Sequence, residues 1–171
     1  MNSQELRAVQ MPLKKQYLQE ARTAMYTLQA QGRLNQNRVS VQIKSGIGRV
    51  EVGLHPATGG DGSFACSGDM LLEALAGCAG VTLGAVATAM DIQIRDGVVT
   101  AEGDIDFRGT HKVEKKAPVG FKDIRLYFDL DTDADDKQLN TLMRLTERYC
   151  VVHQTLSHPP SLSIACKRRD G

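Results

Sequence analysis

Hydrophobic and polar positions along the chain fall into patterns that predict its secondary structure. From Asp69 to Met90 nearly every residue is apolar or small, which predicts one long helix that is buried on all faces. Apolar residues alternate with polar ones over 39–43 and again over 50–54. This alternation predicts a β-hairpin that turns at 45–48.

Apolar residues at helical spacing predict two further helices. The first begins at Pro12 and ends near Gly32, since proline suits a helix start and glycine a helix end. The second follows the acidic turn DTDADD and extends from Leu139 to Tyr149.

The remaining extended segments complete the predicted fold. Residues 92–94 form a short strand, Asp96-Gly97 a turn, and 99–107 a longer strand, so a second hairpin is expected here. Alternation predicts two more strands, at 124–130 and at 162–166, and the latter places Cys166 on an apolar face. Because strands and helices do not alternate regularly, we predict an α+β fold with mainly antiparallel sheets wrapped around the central helix.

Composition and charge narrow the class of protein. The 171 residues, 42% of them hydrophobic, fit a single domain over residues 1–171. The formal net charge of +1 offers no field that would recruit nucleic acid or an anionic membrane, so a specific small substrate is expected. The segment MNSQELRAVQ lacks the apolar core of a signal peptide, and we expect a cytoplasmic protein.

A membrane location for the central helix is the alternative to burial in protein. Its length of roughly 20 apolar residues would span a bilayer. However, half of these residues are Ala, Gly and Thr, which insert weakly, and Glu73 would be costly in lipid. We therefore predict a buried helix of a soluble protein.

The candidate chemistry lies in the cysteines. The chain has four and no CxxC pair: Cys66, Cys78, Cys150 and Cys166. Cys78 lies midway along the central helix, and Cys150 lies near the end of another helix beside His153. If these helices pack together, both thiols meet under the glycine-rich loop 55–68. Two such thiols can reduce a peroxide, because one becomes a sulfenic acid and the other condenses with it to a disulfide.

Two motifs carry a family resemblance. The sequences LLEALAGCAGVTL and TERYCVVHQTL, in this order, resemble the OsmC/Ohr family of thiol-dependent hydroperoxide reductases. The resemblance covers roughly residues 38–166, and residues 1–37 form an N-terminal tail and helix. It implies an intertwined homodimer whose two central helices lie back to back, which Gly80 and Gly84 would allow by close packing.

The resemblance also implies the roles of the two thiols. Cys78 would attack the peroxide and Cys150 would resolve the sulfenic acid. The implied substrates are organic hydroperoxides, and the implied reductants are dithiols such as dihydrolipoyl groups. The implied reaction uses no metal and no bound cofactor.

The chain departs from the family at the start of the central helix. Many relatives have Pro-Glu there, and the glutamate orients an arginine beside the reactive thiolate. In this chain Asp69 or Glu73 would have to replace that glutamate. Arg49 or Arg38 are the candidate arginines. A cation is expected because apolar burial of Cys78 would otherwise raise its pKa.

The remaining candidate residues concern binding. Leu72, Val81 and Val151 are the expected apolar walls of the pocket, which favours bulky organic hydroperoxides. His55 and His153 could join the two cysteines in a zinc site, but no chelating pair has the usual spacing, and we predict no metal. The alternative function is a non-catalytic protein that binds a hydrophobic small molecule at the dimer seam.

Overall fold

A computed structural model describes residues 1–46 and 48–168 of the chain. Its helices and strands are, in chain order, α1 Ser3–Gln19, β1 Gly32–Asn35, β2 Ser40–Ser45, β3 Gly48–Gly53, β4 Ala65–Cys66, α2 Ser67–Ala89, β5 Ile94–Ile105, α3 Phe107–Thr110, β6 Phe121–Thr132, α4 Asp136–Tyr149 and α5 Val151–Ser157.

The N-terminal sheet contains four strands in the order β1-β2-β3-β4. The predicted hairpin is confirmed as β2 and β3, which pair antiparallel with Val41 opposite Val52. Its predicted turn includes Ile47, which lies outside the described residues. The sequence did not predict β1, whose four residues are polar or exposed. Strand β4 pairs parallel to β3 and leads directly into α2.

The second sheet is a long antiparallel pair of β5 and β6. The turn predicted at Asp96-Gly97 is wrong, because both residues lie within β5, just after a bulge between Ile94 and Asp96. Pairing with β6 keeps this segment extended through the glycine. Arg95, at the bulge, forms ion pairs with Asp131 and Asp133 of the neighbouring strand end. The second hairpin thus consists of β5 and β6 and not of two strands within residues 92–107.

Helix α2 is the centre of the hydrophobic core. It packs against β5, α4 and α5, and it buries a stripe of four residues at i+4 spacing: Leu75, Ala79, Leu83 and Ala87. At one end the stripe meets Leu142 of α4, and at the other it meets Cys150. The predicted mixed α+β fold with antiparallel sheets around this helix is confirmed.

The opposite face of α2 is open in the single chain. Val81 is 77% exposed, and a Cβ atom added at Gly77 or Gly84 would meet nothing within 4 Å among the described residues. Gly80, by contrast, lies against Val99 of β5. By length and composition α2 could also cross a membrane. One chain therefore buries one face of a helix that is apolar all round.

The N-terminal helix differs from the prediction. Helix α1 begins at Ser3 because Asn2 and Glu5 form a capping box, each side chain accepting the other residue's backbone N–H at 2.9 Å. Pro12 lies inside the helix rather than at its start, and the helix ends at Gln19. The bounds predicted from Pro12 to Gly32 are therefore wrong.

The C-terminal part is helical and then irregular. The predicted helix is confirmed as α4, and the chain continues after Cys150 as α5. The predicted strand over 162–166 is wrong: the described residues 159–168 form no strand, and Leu162 and Ile164 are almost fully exposed. Cys166 is exposed as well. Alternation alone does not make a strand when no neighbouring strand pairs with it.

Candidate functional site

Two free thiols meet between α2 and the junction of α4 with α5. Cys78 lies on the flank of the buried stripe of α2 and is half-buried, whereas Cys150 is only 1% exposed. The two thiols contact each other, and each affects the ionisation of the other. The local geometry therefore brings two reduced sulfur atoms to one place.

The position of Cys150 depends on a break between two helices. Leu142, Thr146 and Cys150 lie at i+4 spacing on the buried face of α4, so the helix delivers the thiol into the core. The backbone of Cys150 is extended, with φ −71° and ψ 108°, and Cys150 caps α5. Its Sγ accepts the backbone N–H of His153 at 3.5 Å.

The first turn of α5 points at Cys78. Burial opposes ionisation of Cys78 and is the largest single influence. The backbone N–H groups of Val152 and Val151, with the side chains of Cys150 and Thr82, outweigh it and hold the pKa of Cys78 below its ordinary value. Backbone donors at a helix N-terminus favour a thiolate for the same reason that they favour other anions.

The environment of Cys150 acts in the opposite direction. Burial is the main cause that raises the pKa of Cys150, and the neighbouring Cys78 raises it further, although the N–H of His153 acts against both. At neutral pH Cys150 therefore keeps its proton more firmly than Cys78. The surroundings therefore shift the pKa values of two identical side chains in opposite directions.

The candidate arginines lie elsewhere in the single chain. Arg38 stacks over the ring of Phe64 at 4.6 Å. Arg49 lines a cavity on the N-terminal sheet together with Gln42 and Lys44. The main groups that favour the Cys78 thiolate are backbone N–H groups, not a guanidinium. These donors could not be predicted from the sequence, because neither glycine nor proline marks the break at Cys150.

The two candidate carboxylates, Asp69 and Glu73, also do not pair with an arginine among the described residues. Asp69 lies in the first turn of α2, and Glu73 is exposed one turn later. Within residues 1–46 and 48–168, neither carboxylate forms an ion pair. The network of a carboxylate, an arginine and Cys78 is therefore not assembled within one chain.

A separate cavity lies at the start of α2. Its volume is about 550 Å³, and its walls include His55, Leu72, Asp69 and Cys66. The imidazole of His55 stacks on Phe107, with ring centroids 5.0 Å apart. Neither Cys78 nor Cys150 lines this cavity. The loop 55–68 thus borders a pocket that neither thiol lines, and the expectation that the thiols meet under this loop is not met.

Val81 and Val151 lie on the open side of Cys78. Val81 is one turn further along α2 on the same side of the helix, and Val151 provides one of the N–H groups to Cys78. Both side chains are exposed in the single chain, Val151 to 69%. Their placement leaves an apolar surface beside the half-buried thiol.

A small cavity borders Cys150 and is not lined by Cys78. It has a volume of about 250 Å³, and its walls include Cys150, His153, Thr146 and Glu147 together with apolar side chains. Thr146 is not among the residues predicted from the sequence, although a threonine that follows Leu142 by four residues on the apolar face of α4 is a detectable signal. Among the described residues, including those of this cavity, no three side chains suited to metal binding converge.

Solved structures with this fold come from several bacteria. An OsmC-like protein from Mycoplasma pneumoniae matches with a TM-score of 0.66 and 17% identity, over 78% of this chain and 89% of that chain. An organic hydroperoxide resistance protein from Elizabethkingia anophelis matches with a TM-score of 0.61 and 18% identity, over 79% and 91%.

A third structure has the same fold without a known activity. An OsmC-like protein of unknown function from Vibrio cholerae matches with a TM-score of 0.61 and 11% identity, over 77% of this chain and 94% of that chain. At such identities these likenesses show the fold alone. No curated protein matches the chain in sequence.

Membership of a family follows from the sequence itself. The profile of a family described as OsmC-like protein matches residues 60–165, which is more than half of the chain and includes both Cys78 and Cys150. The structural likenesses agree with this match. The chain therefore belongs to the OsmC-like protein family.

Proposed function

We propose that the chain is a thiol-dependent peroxidase that reduces organic hydroperoxides and serves in oxidative stress defence. The observation that carries the proposal is the contact between Cys78 and Cys150, with the pKa of Cys78 lowered and that of Cys150 raised. A peroxidase of this kind needs one thiolate and one nearby thiol. The organic class of substrate is suggested by relatives such as the organic hydroperoxide resistance protein of Elizabethkingia anophelis.

In the first step the Cys78 thiolate attacks the outer oxygen of the hydroperoxide. The O–O bond breaks, Cys78 becomes a sulfenic acid, and the substrate leaves as an alkoxide. The alkoxide requires a proton. The Cys150 thiol is a suitable donor, because it contacts Cys78 and its raised pKa keeps it protonated. The products of this step are an alcohol, a sulfenic acid at Cys78 and a thiolate at Cys150.

In the second step the Cys150 thiolate attacks the Cys78 sulfur. A disulfide forms, and the hydroxyl group leaves and takes up a proton to give water. A dithiol reductant, such as a dihydrolipoyl group, then exchanges with the disulfide, becomes a disulfide itself and restores both thiols. No metal or bound cofactor takes part in the proposed cycle.

The stabilisation of the thiolate is assigned to α5. The N–H groups of Val151 and Val152 act on Cys78 within its own chain. Arg38, Arg49, Asp69 or Glu73 would have to contribute from a second copy of the chain. The proposed substrate preference follows from the exposed valines beside Cys78, since each buried CH₂ of an organic hydroperoxide contributes about 0.8 kcal/mol.

We infer that the protein is a cytoplasmic homodimer. The open face of α2, with Gly77, Val81 and Gly84, is apolar and has the small residues that let two backbones approach. A second copy would cover this face and border the Cys78 thiol. A reducing cytoplasm suits two cysteines that are in contact and yet free.

Single-turnover kinetics test the division of labour. Cys78→Ser should abolish consumption of cumene hydroperoxide, because it removes the attacking sulfur. Cys150→Ser should consume about one equivalent and then stop, with oxidised Cys78 detected by mass spectrometry. Full multiple turnover by Cys78→Ser, or a wide preference of the wild type for hydrogen peroxide, would refute the proposal.

The second candidate function is that of a non-catalytic protein that binds a hydrophobic small molecule at the dimer seam. The observation that favours it is the exposed apolar face of α2, where Val81 is 77% exposed. The same kinetic experiment separates the two functions. A binding protein would leave both thiols of the wild type intact after treatment with the hydroperoxide.

A further inference from the structure

The polar face of the N-terminal sheet has three cationic side chains close together. Strand pairing places Lys44 of β2 directly opposite Arg49 of β3. Arg33 of β1 lies opposite Gln42 of β2, two residues before Lys44. Because alternate residues of a strand share a face, all of these side chains lie on one side of the sheet. Arg33, Lys44 and Arg49, here called the basic cluster, are exposed and line a cavity of about 620 Å³.

The basic cluster has no carboxylate partner among the described residues. None of its three side chains forms an ion pair there. The only carboxylate in the sequences of β1, β2 and β3 is Glu51, which accepts a hydrogen bond from the Ser40 hydroxyl at 2.6 Å. Ser40 begins β2, whereas Lys44 lies near its other end, so this bond directs Glu51 away from the cluster. The positive charge of the cluster is therefore not neutralised within one chain.

Other arginines of the chain have the carboxylate partners that the basic cluster lacks. Arg95, Arg108 and Arg125 each form an ion pair with a neighbouring aspartate. In the basic cluster, by contrast, Lys44 and Arg49 place two like charges directly opposite each other, an arrangement that destabilises a sheet. A bound anion would offset this repulsion and take the place of the missing carboxylates.

The spacing of the cluster indicates the size of the anion. Side chains directly opposite each other have Cβ atoms about 5 Å apart, and diagonal neighbours such as Arg33 and Lys44 roughly 7 Å. Long side chains over this span can hold two linked phosphate groups at once. Guanidinium groups bind phosphate oxygens in pairs, lysine adds a point charge, and the amides of Gln31 and Gln42, which also line the cavity, are further donors. A diphosphate group fits these donors better than a single sulfate or carboxylate.

We propose that the basic cluster is a binding site for a small molecule that carries a diphosphate group. The formal net charge of the chain is only +1, so the attraction is local to the cluster and favours a small anion over a nucleic acid. Leu34 lines the same cavity and can contact an apolar part of the ligand. Neither Cys78 nor Cys150 lines the cavity, and binding there is non-covalent. The inference is therefore independent of the proposed peroxidase activity.

Titration calorimetry with inorganic pyrophosphate, at constant ionic strength, tests the site in the full chain. The wild type should bind pyrophosphate at least about fivefold more tightly than sulfate. Lys44→Gln should weaken pyrophosphate binding at least about fivefold, because a charged contact is lost. Lys44→Arg keeps the charge and should bind within about twofold of the wild type. Lys115→Gln, the matched control, removes the same charge from an exposed loop outside the cavity and should not change the affinity.

Stability separates binding from a structural role of Lys44. Without ligand, Lys44→Gln should unfold at a temperature no lower than that of the wild type, since it removes a contact between like charges. All variants keep Arg49, which is a candidate partner of Cys78. In the wild type, pyrophosphate should shift the backbone amide NMR signals of β1 and β2, and this measurement needs no variant. The proposal is overturned by no binding of pyrophosphate, by equal affinity for sulfate, by an equal loss of affinity in Lys44→Gln and Lys115→Gln, by an unchanged affinity in Lys44→Gln, or by NMR shifts confined to other strands and helices.

Discussion

Cys78 and Cys150 show how one side chain acquires two chemical characters from its surroundings. Both thiols are removed from water, which disfavours the thiolate in each case. Cys78 receives the backbone donors of Val151 and Val152, and these reverse the effect of burial. For Cys150, burial and the neighbouring Cys78 outweigh the backbone N–H groups of His153 and Val152, so its pKa stays raised. This difference in pKa explains why, in the proposed reaction, Cys78 attacks the peroxide and Cys150 resolves the sulfenic acid.

A substitution at Val151 tests the backbone donors directly. Val151→Pro removes one N–H that acts on Cys78, while the extended conformation of Cys150 suits a residue that precedes proline. The pKa of Cys78 should rise, so its pH profile of alkylation by iodoacetamide should shift to higher pH. At pH 7 alkylation should be about two- to tenfold slower, which corresponds to one net hydrogen bond.

The control for this substitution keeps the backbone donor. Val151→Ala removes only an exposed side chain and should alkylate as the wild type does. In the wild type, Cys78 should become reactive at a lower pH than glutathione, because its pKa is lowered and the thiolate is the reactive form. Identical profiles for Val151→Pro and Val151→Ala would contradict this account of the thiolate.

The two cysteines could be selected from the sequence, but their environments could not. The positions of Cys78 and Cys150 on apolar helix faces were readable from spacing. The break at Cys150 was not, because no glycine or proline marks it and its cap is a thiol. Without that break no N–H groups would point at Cys78, which explains why the sequence analysis expected an arginine in their place.

At the scale of the elements, long apolar patterns predicted structure better than short ones. Helix α2 was predictable because more than 20 residues share one character, and β2 and β3 because their alternation is paired across a short turn. The alternation over 162–166 has no pairing strand and remained irregular. Pro12 does not mark the start of α1, because the capping box of Asn2 and Glu5 begins the helix nine residues earlier, at Ser3.

The packing of α4 on α2 gives a stability prediction. Leu142 is fully buried between the two helices, so Leu142→Ala should lower the free energy of unfolding by about 2–5 kcal/mol through lost contacts and a residual cavity. Leu162→Ala is the control, because Leu162 is 90% exposed in the irregular C-terminal segment. It should change stability by less than about 0.5 kcal/mol in urea unfolding. A large effect of Leu162→Ala would instead indicate that Leu162 is packed, as the strand predicted over 162–166 requires.

At the scale of the whole molecule, the single chain leaves one apolar face of α2 exposed to solvent. A helix with apolar residues on every side has no solvated face, yet one chain fully buries only Leu75, Ala79, Leu83 and Ala87 of this helix. The sequence predicted burial on all sides but could not show which side needed the second copy. The structure identifies the side that contains Gly77, Val81 and Gly84 as the open one.

A bulky residue on this face tests the inferred dimer. Gly84→Leu meets no atom of its own chain at Cβ but should prevent close approach of a second α2, giving monomers or aggregates in light scattering. Gly84→Ala should remain largely dimeric because a methyl group is small. A wild-type protein that is a stable monomer at micromolar concentration, or an unimpaired Gly84→Leu dimer, would contradict the inference.

The most direct test of the proposed redox pair is the identity of the disulfide that a peroxide creates. The reduced protein is treated with one equivalent of cumene hydroperoxide, quenched with an alkylating agent, and mapped by mass spectrometry of its peptides. The account predicts one product, in which Cys78 is joined to Cys150, while Cys66 and Cys166 stay alkylated as free thiols. A Cys66 to Cys78 link, or four thiols that remain reduced, would contradict it.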